Sequence, residues 1–348
     1  MSLKKAHPEK ISSMKQASLK LNLNVKKTRK QVFLEQMEQV APWAALIELI
    51  APCYLQGNTG RPPFFLQTTL HIHFMQQWFT LSGPGMEEAF FDTPLYRDFA
   101  HLEESGRLPD ESTILRFRHR LEQHKLAQQI LNVVNDILVE RELLLKAGTV
   151  VDATLIAAPS STKNKDKARD SEMCSSKKGQ QMYFGMKAHI GADAESGLVH
   201  TVRGTSGNVH DVTEGNSLLH DQETHAFGDA GYQGIQKRSD SKADVRWHIA
   251  MRVGKRRASN KENGVDAMID KIEKLKAGIR AKVEHPFRVI KGPLGYVKVC
   301  YRGSKKNTAQ RATLFALSNL WDGAREIDAS SGMSAPKNRA KALNRLKS

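Results

Sequence analysis

The 348-residue sequence predicts an α/β protein, in which a mixed five-stranded sheet flanked by helices is preceded by an all-α N-terminal unit. Apolar residues keep helical spacing, with no strand-like alternation, from about residue 31 to 147. At Gly148 the texture changes to short β-capable runs separated by polar turns, and helical spacing returns from Val265 to about His285. A hydrophobic fraction of 40% is enough to fill a sizeable core in a chain of this length.

The chain divides into a basic arm (1–30), a helical unit (31–147), a sheet-bearing unit (148–325) and a basic tail (326–348). Residues 1–30 hold nine Lys or Arg against one acid, and residues 333–348 hold five against none, so both ends read as solvated arms. The helical unit is broken around Gly57–Pro63, Ser82–Gly85 and Arg107–Asp110. Asp110 or Ser112 is placed to cap a helix that turns Ile114, Leu115, Phe117 and Leu121 inward. Arg116 and Arg120 share another face of that helix, either solvated or against DNA. A further helix covers Leu126 to Lys146 and stops at Gly148. Thr149–Thr154 is the first strand. Met186–Ala192 and Leu198–Arg203 form a hairpin around a Gly-ended loop, and a helix follows Asp211. Strands through Ala226–Asp229 and Trp247–Met251 come next, with a helix between them and another after them. That order of elements suits a five-stranded mixed sheet and also describes the ribonuclease-H-like fold.

Lys plus Arg number 53 against 37 Asp plus Glu, giving a formal charge of +16 and a pI near 9.7. Such an excess points to a polyanionic partner, since basic side chains release the counterions of phosphates. The polar loop Ser160–Asp170 follows the first strand and carries Lys163, Lys165 and Lys167 as candidate phosphate contacts. Lys255, Arg256 and Arg257 follow the last expected strand and are assigned to the DNA backbone. Cys53, Cys174 and Cys300 are far apart, which argues against structural zinc and a disulfide framework and fits a reducing cytosol. No run reaches membrane-spanning length and the start lacks a signal-peptide core, so a cytoplasmic or nucleoid-associated protein is expected.

Asp152 stands inside the apolar run Gly148-Thr-Val-Val-Asp-Ala-Thr154. A buried carboxylate must be paired, hydrogen-bonded or bound to a cation, and no cationic neighbour exists in sequence. Asp229, in Phe227-Gly-Asp-Ala-Gly-Tyr-Gln-Gly234, sits at a strand end with glycines that allow a tight turn. Two such acids on adjacent strands repel unless a divalent cation lies between them, and oxygen-only ligands point to Mg²⁺ or Mn²⁺. Glu284 is the third candidate. At about 100° per residue, Arg280, Glu284 and Lys291 fall within roughly 60° on one helix face. Pro286 threatens a kink before Lys291. Each acid also has a structural explanation: turn hydrogen bonds for Asp152, helix initiation for Asp229, an ion pair for Glu284. Asp211-x-x-Glu214 has the spacing of a capping box, and His189 and His210 read as supporting groups rather than ligands.

These blocks together resemble the insertion-sequence-five family of transposases, which carry an Asp-Asp-Glu triad. The resemblance rests on Val151–Ser161, Tyr183–His189, Asn208–Asp211, Gly228–Tyr232 and Arg280-x3-Glu284-x6-Lys291, with Gly60–Pro62, Pro109-Asp110 and Arg116–Arg118 in the helical part. It implies that Asp152, Asp229 and Glu284 hold two metal ions, and that Arg280, Lys291 and Lys187 face DNA. It also implies that the helical unit helps recognise terminal inverted repeats and that the protein acts as a homodimer or larger assembly on DNA. Two cations about 3.5–4 Å apart can activate water or a DNA 3′-hydroxyl and stabilise the leaving oxygen, so one site can cut and join strands. A metal-dependent endonuclease without joining activity, and an inactive DNA-binding relic, are the alternatives.

Overall fold

A computed structural model describes residues 26–54, 61–103, 106–145, 148–165, 167–258 and 263–330, so most of both basic arms lies outside the described residues. The helical half comprises α1 (Arg29–Val40), α2 (Trp43–Ile50), α3 (Leu66–Phe79), α4 (Gly83–Asp92), α5 (Pro94–Phe99), α6 (Glu111–Gln123) and α7 (Leu126–Glu140). Local chemistry sets the starts. Thr28 and Asp110 cap α1 and α6 by accepting from the N–H groups of Gln31 and Thr113. Helix α6 buries Ile114, Phe117 and Leu121 at helical spacing, whereas Leu115, expected inward, is turned out of that stripe and exposed.

The sheet comprises β1 (Gly148–Ala157), β2 (Cys174–Lys178), β3 (Gln181–Asp193), β4 (Val199–Ser206), β5 (His225–Gly228) and β6 (Arg246–Ile249). It holds six strands where five were expected, because β2 was not anticipated. Its sequence, Cys-Ser-Ser-Lys-Lys, has no apolar alternation to signal a strand. The six strands occupy five positions, since β2 pairs with Gln181–Gly185 of β3 and β4 pairs with the remainder of the same edge from Met186. On the other edge β3 runs antiparallel to β1, from Gly185↔Ala157 to Asp193↔Thr149. Beyond β1, β5 and then β6 are added in parallel.

Short helices α8 (Asp211–Glu214) and α9 (Val253–Arg257) precede β5 and follow β6, and the long helices are α10 (Gly264–Lys291) and α11 (Ser304–Ser330). The helix expected between β5 and β6 is replaced by two 3₁₀ turns, Ala230–Tyr232 and Ile235–Lys237. Pro286 does not interrupt α10, which continues to Lys291. Helix α11, absent from the sequence-based expectation, crosses the expected boundary at residue 325 and buries every residue from 311 to 320. It packs on α7, β4, α1 and α10, so one hydrophobic core runs continuously from Phe33 and Leu138 through Val150 and Ile190 to Phe315. A smaller core of Val151, Leu218, Ala226, Tyr232, Ile235 and Trp247 covers the other face of the sheet. No helix among the described residues is long and apolar enough to cross a membrane.

Candidate active site

Thr149, Val150 and Val151 are buried in β1, and Asp152 follows them half-buried. Its Oδ1 accepts the N–H of Ala153 at 2.7 Å. On the β5 side the last paired residues are Val150 and Phe227, so two residues further on Asp229 comes level with Asp152. Asp229 leaves the strand to start the first 3₁₀ turn, where its Oδ1 accepts from Gly231 N–H at 2.8 Å. Gly228 just before it allows close packing: a Cβ there would lie 3.1 Å from Tyr232 side-chain carbons and 3.2 Å from Ile249, tighter than ordinary contact.

The charges converge on Asp152. Burial lifts its carboxyl from 3.8 to about 6; the bond from Ala153 and the Arg280 charge oppose this, while Asp229 and Asp211 add to it. Tyr232 is fully buried and its hydroxyl has no hydrogen-bond partner among the described residues. Burial, then the charges of Asp152, Asp211 and Asp229, push its phenol well above the usual range.

Helix α10 covers this part of β1 and reaches β5. Lys291 donates to Thr154 Oγ1 at 2.6 Å and to the Leu155 carbonyl at 3.1 Å, and Thr154 lies two residues from Asp152 on the same side of the strand. Arg280 is half-buried and acts electrostatically on Asp152. Glu284 lies one turn after Arg280 and about two turns before Lys291 and is exposed; the acids that act on Asp152 are Asp229 and Asp211, and Glu284 is not among them.

Asp211 does not cap α8. His210 occupies the N-cap position without a side-chain bond, while the Asp211 carboxylate accepts from Lys187 Nζ at 2.9 Å and lies 3.9 Å from His189 Nδ1. Lys187 also donates to the Val209 carbonyl at 2.7 Å, so it is tied into the protein rather than free for DNA. His189 is fully buried, with Nε2 2.7 Å from Thr205 Oγ1, and burial lowers its pKa to about 4. Arg311 of α11 had no signal in the sequence reading. It is buried, its pKa drawn down to about 10 by that burial, and it donates to the Lys187 carbonyl at 3.1 Å.

The remaining basic candidates separate by exposure. Lys163, Lys165 and Lys167 stand on the exposed loop after β1, Lys255 and Arg257 are exposed on α9, and Arg116 is exposed on α6. Arg120 instead donates to the Cys53 carbonyl at 2.9 Å, and Arg256 pairs with Asp270 at 2.9 Å, so both serve internal contacts.

Carboxylates on neighbouring strands of a mixed sheet, covered by a helix that supplies cationic side chains, thus make up the candidate site. Residues 144–320 match the family described as "Transposase DDE domain", and residues 21–120 match "Transposase domain (DUF772)". The chain belongs to the transposase DDE domain family and is by that membership a DNA-processing enzyme. Among solved structures, a cryo-EM structure of the piggyBac transposase synaptic complex with hairpin DNA is similar at a TM-score of 0.41 and 11% identity, over 92% of this chain and 78% of that chain.

Proposed function

We propose that the protein is the transposase of an insertion sequence resembling those of the insertion-sequence-five family. On this reading Asp152, Asp229 and Glu284 form an Asp-Asp-Glu triad on a ribonuclease-H-like core, and the enzyme binds terminal inverted repeats, cleaves them and joins them to target DNA. The observation that carries the reading is the crowding of carboxylates around Asp152 beneath Arg280. Three antiparallel strands, β4-β3-β1, extended in parallel by β5 and β6, support the core assignment.

The donor set consists of carboxylate oxygens, the ligands a hard divalent cation prefers, and Asp229 stands near enough to Asp152 to add to the rise that burial causes in its carboxyl. Asp152, Asp229 and Glu284 would hold Mg²⁺ or Mn²⁺, two ions per site. When bound, the ions supply an activated oxygen nucleophile and neutralise charge on the phosphate and leaving oxygen. Arg280 orients a phosphate beside Asp152, and Lys291 fixes α10 against β1 so that Glu284 faces the same substrate. Lys163, Lys165, Lys167, Lys255, Arg257 and Arg116 are the exposed bases proposed to track the DNA backbone. Reversing the charge of Lys255 and Arg257 should weaken DNA binding uniformly across sequences and reduce the salt slope by about one per lost phosphate contact.

A second copy of the chain is the proposed partner on DNA. Helix α10 exposes Val265, Met268, Ile272 and Leu275 at spacings of three, four and three residues, the pattern of a helix-to-helix seam. The proposed location is the cytoplasm, at the nucleoid. The deciding experiment incubates the full-length protein with Mg²⁺ and labelled DNA carrying the repeats of its own element. Nicked ends together with joined products support the transposase reading; nicking alone selects an endonuclease, and binding alone a catalytically inactive relic.

A further inference from the structure

Glu38 of α1, His71 of α3 and His101, just past α5, bring their ligand atoms within 4.8 Å of one another. His71 is fully buried, Glu38 partly so and His101 half exposed. His71 Nδ1 lies 2.8 Å from the Gln67 carbonyl oxygen, which can only accept, so Nδ1 carries the proton. That contact turns the other ring nitrogen, Nε2, towards Glu38 Oε2, 2.8 Å away, a separation that either a proton on Nε2 or a bound cation can bridge. His101 Nε2 lies 3.8 Å from Glu38 Oε1 and 3.3 Å from the Gln67 amide nitrogen. Three ligand atoms of types that bind a metal ion thus face one small space.

We propose that Glu38, His71 and His101 form a binding site for a borderline transition-metal ion of the Zn²⁺ class, which pins α1, α3 and the turn after α5 together. Two imidazoles and a carboxylate are a donor set for such an ion, with water as a fourth ligand at the exposed His101 side. A four-coordinate ion with bonds of about 2.0–2.2 Å sets its ligand atoms roughly 3.3–3.6 Å apart, between the separations found here, so small side-chain shifts suffice. The surroundings hold the ligands in place. The Gln67 carbonyl orients His71 through the ring nitrogen not facing Glu38, Trp43 stacks on His71 at 3.8 Å, and Trp43 Nε1–H donates to the Glu38 carbonyl at 3.1 Å. This chemistry differs from the oxygen-only set around Asp152, and the sequence, which has no paired cysteines, argued against structural zinc. The three ligands come from positions 33 and 30 residues apart and leave no local motif.

The test uses full-length protein stripped of metal, saturated with Mg²⁺ and titrated with Co²⁺. One equivalent should bind with the visible absorption of a four-coordinate, nitrogen-ligated Co²⁺ ion and quench tryptophan fluorescence through Trp43. Excess Zn²⁺ should raise the thermal midpoint by about 5 °C. His101→Ala, at a half-exposed position, should weaken uptake by about 10- to 100-fold or more while leaving circular dichroism unchanged; Glu38→Gln should do the same. Asp152→Asn should bind the ion normally, which separates this site from the proposed catalytic one. Uptake that His101→Ala and Glu38→Gln leave unchanged would overturn the proposal. So would a folded wild-type protein that takes up no Co²⁺, in which case a shared proton joins Glu38 to His71.

Discussion

At the scale of single residues, Asp152 carries a charge that its surroundings oppose, and the direction of that opposition has a measurable consequence. Its carboxyl has a pKa of about 6 in the folded protein against 3.8 for the free side chain. A raised carboxyl stabilises the fold fully below the lower value and loses that contribution as pH rises through about 6. The difference corresponds to about 3 kcal/mol, acting against the metal-free protein at neutral pH. Asp152→Asn, which stays neutral, should therefore melt higher than wild type in EDTA at about pH 7.5 and show little difference near pH 4. In Mg²⁺ the same variant should lose cleavage while keeping DNA affinity. Equal melting of the two proteins at both pH values would show that Asp152 is already compensated without metal. Asp152 stands out in the sequence as an acid in a run of Val and Thr, but alone it is equally explained by backbone hydrogen bonds such as the one from Ala153, and only its company with Asp229 and Glu284 marked it as a candidate. Asp211 was not so marked, because its spacing to Glu214 imitates a capping box, whereas its carboxylate binds Lys187, whose strand lies 24 residues earlier in the chain.

At the scale of elements, α10 is the component that turns strand residues into a candidate site. Its C-terminal turn is fastened by Lys291 to Thr154 and Leu155, a charge-assisted contact in a half-buried position. Lys291→Met keeps the aliphatic stem and removes the ammonium, and it should destabilise the protein by about 1.5–3 kcal/mol. It should also speed amide exchange across residues 284–291 and lower the cleavage rate more than DNA affinity. Unchanged exchange there would mean that packing of Phe287 and Ile290 alone holds the helix. The helical row Arg280, Glu284 and Lys291 could be read from spacing because an α-helix repeats regularly, and one proline did not break it. The segment after Asp229 could not be read so well. Its glycines and Tyr232 serve two 3₁₀ turns whose shape is set by contact with the sheet, and local propensity has little to say about that. β2 escaped notice for a related reason, since its pairing with β3 is decided by a neighbour and not by its own polar side chains.

At the scale of the whole molecule, the helical half and the sheet were expected as consecutive units, and the continuous core bears on whether either can stand alone. Helix α11 comes last among the described elements yet fills the space between them. Asn319 on it accepts the Val199 N–H at 3.0 Å and donates to the Val199 carbonyl at 2.7 Å and to Asn135 Oδ1 at 2.8 Å. One buried amide thus joins α11, α7 and β4, in a core where unsatisfied groups are expensive. Asn319→Ala would strand the Val199 N–H and part of the Asn135 amide, so a loss of about 2–4 kcal/mol is expected, with a single cooperative transition at lower denaturant. Such an embedded helix was hard to foresee because Asn307, Arg311, Thr313, Ser318 and Asn319 interrupt its apolar pattern, although all are buried. The same geometry predicts the fate of a fragment. Residues 1–147 lack α11 and the sheet, so α7 would expose Ile130, Leu131, Val134 and Leu138, whose burial in the full chain is complete or nearly so. At roughly 1.5–3 kcal/mol for each such side chain, the lost burial is comparable with the whole stability of a typical domain. Expressed alone, the fragment should show helical far-ultraviolet dichroism without a cooperative melting transition, and adding residues 148–348 in trans should restore one. A sharp transition in the isolated fragment would mean that the helical half has a core of its own, with α11 packed onto it as an addition.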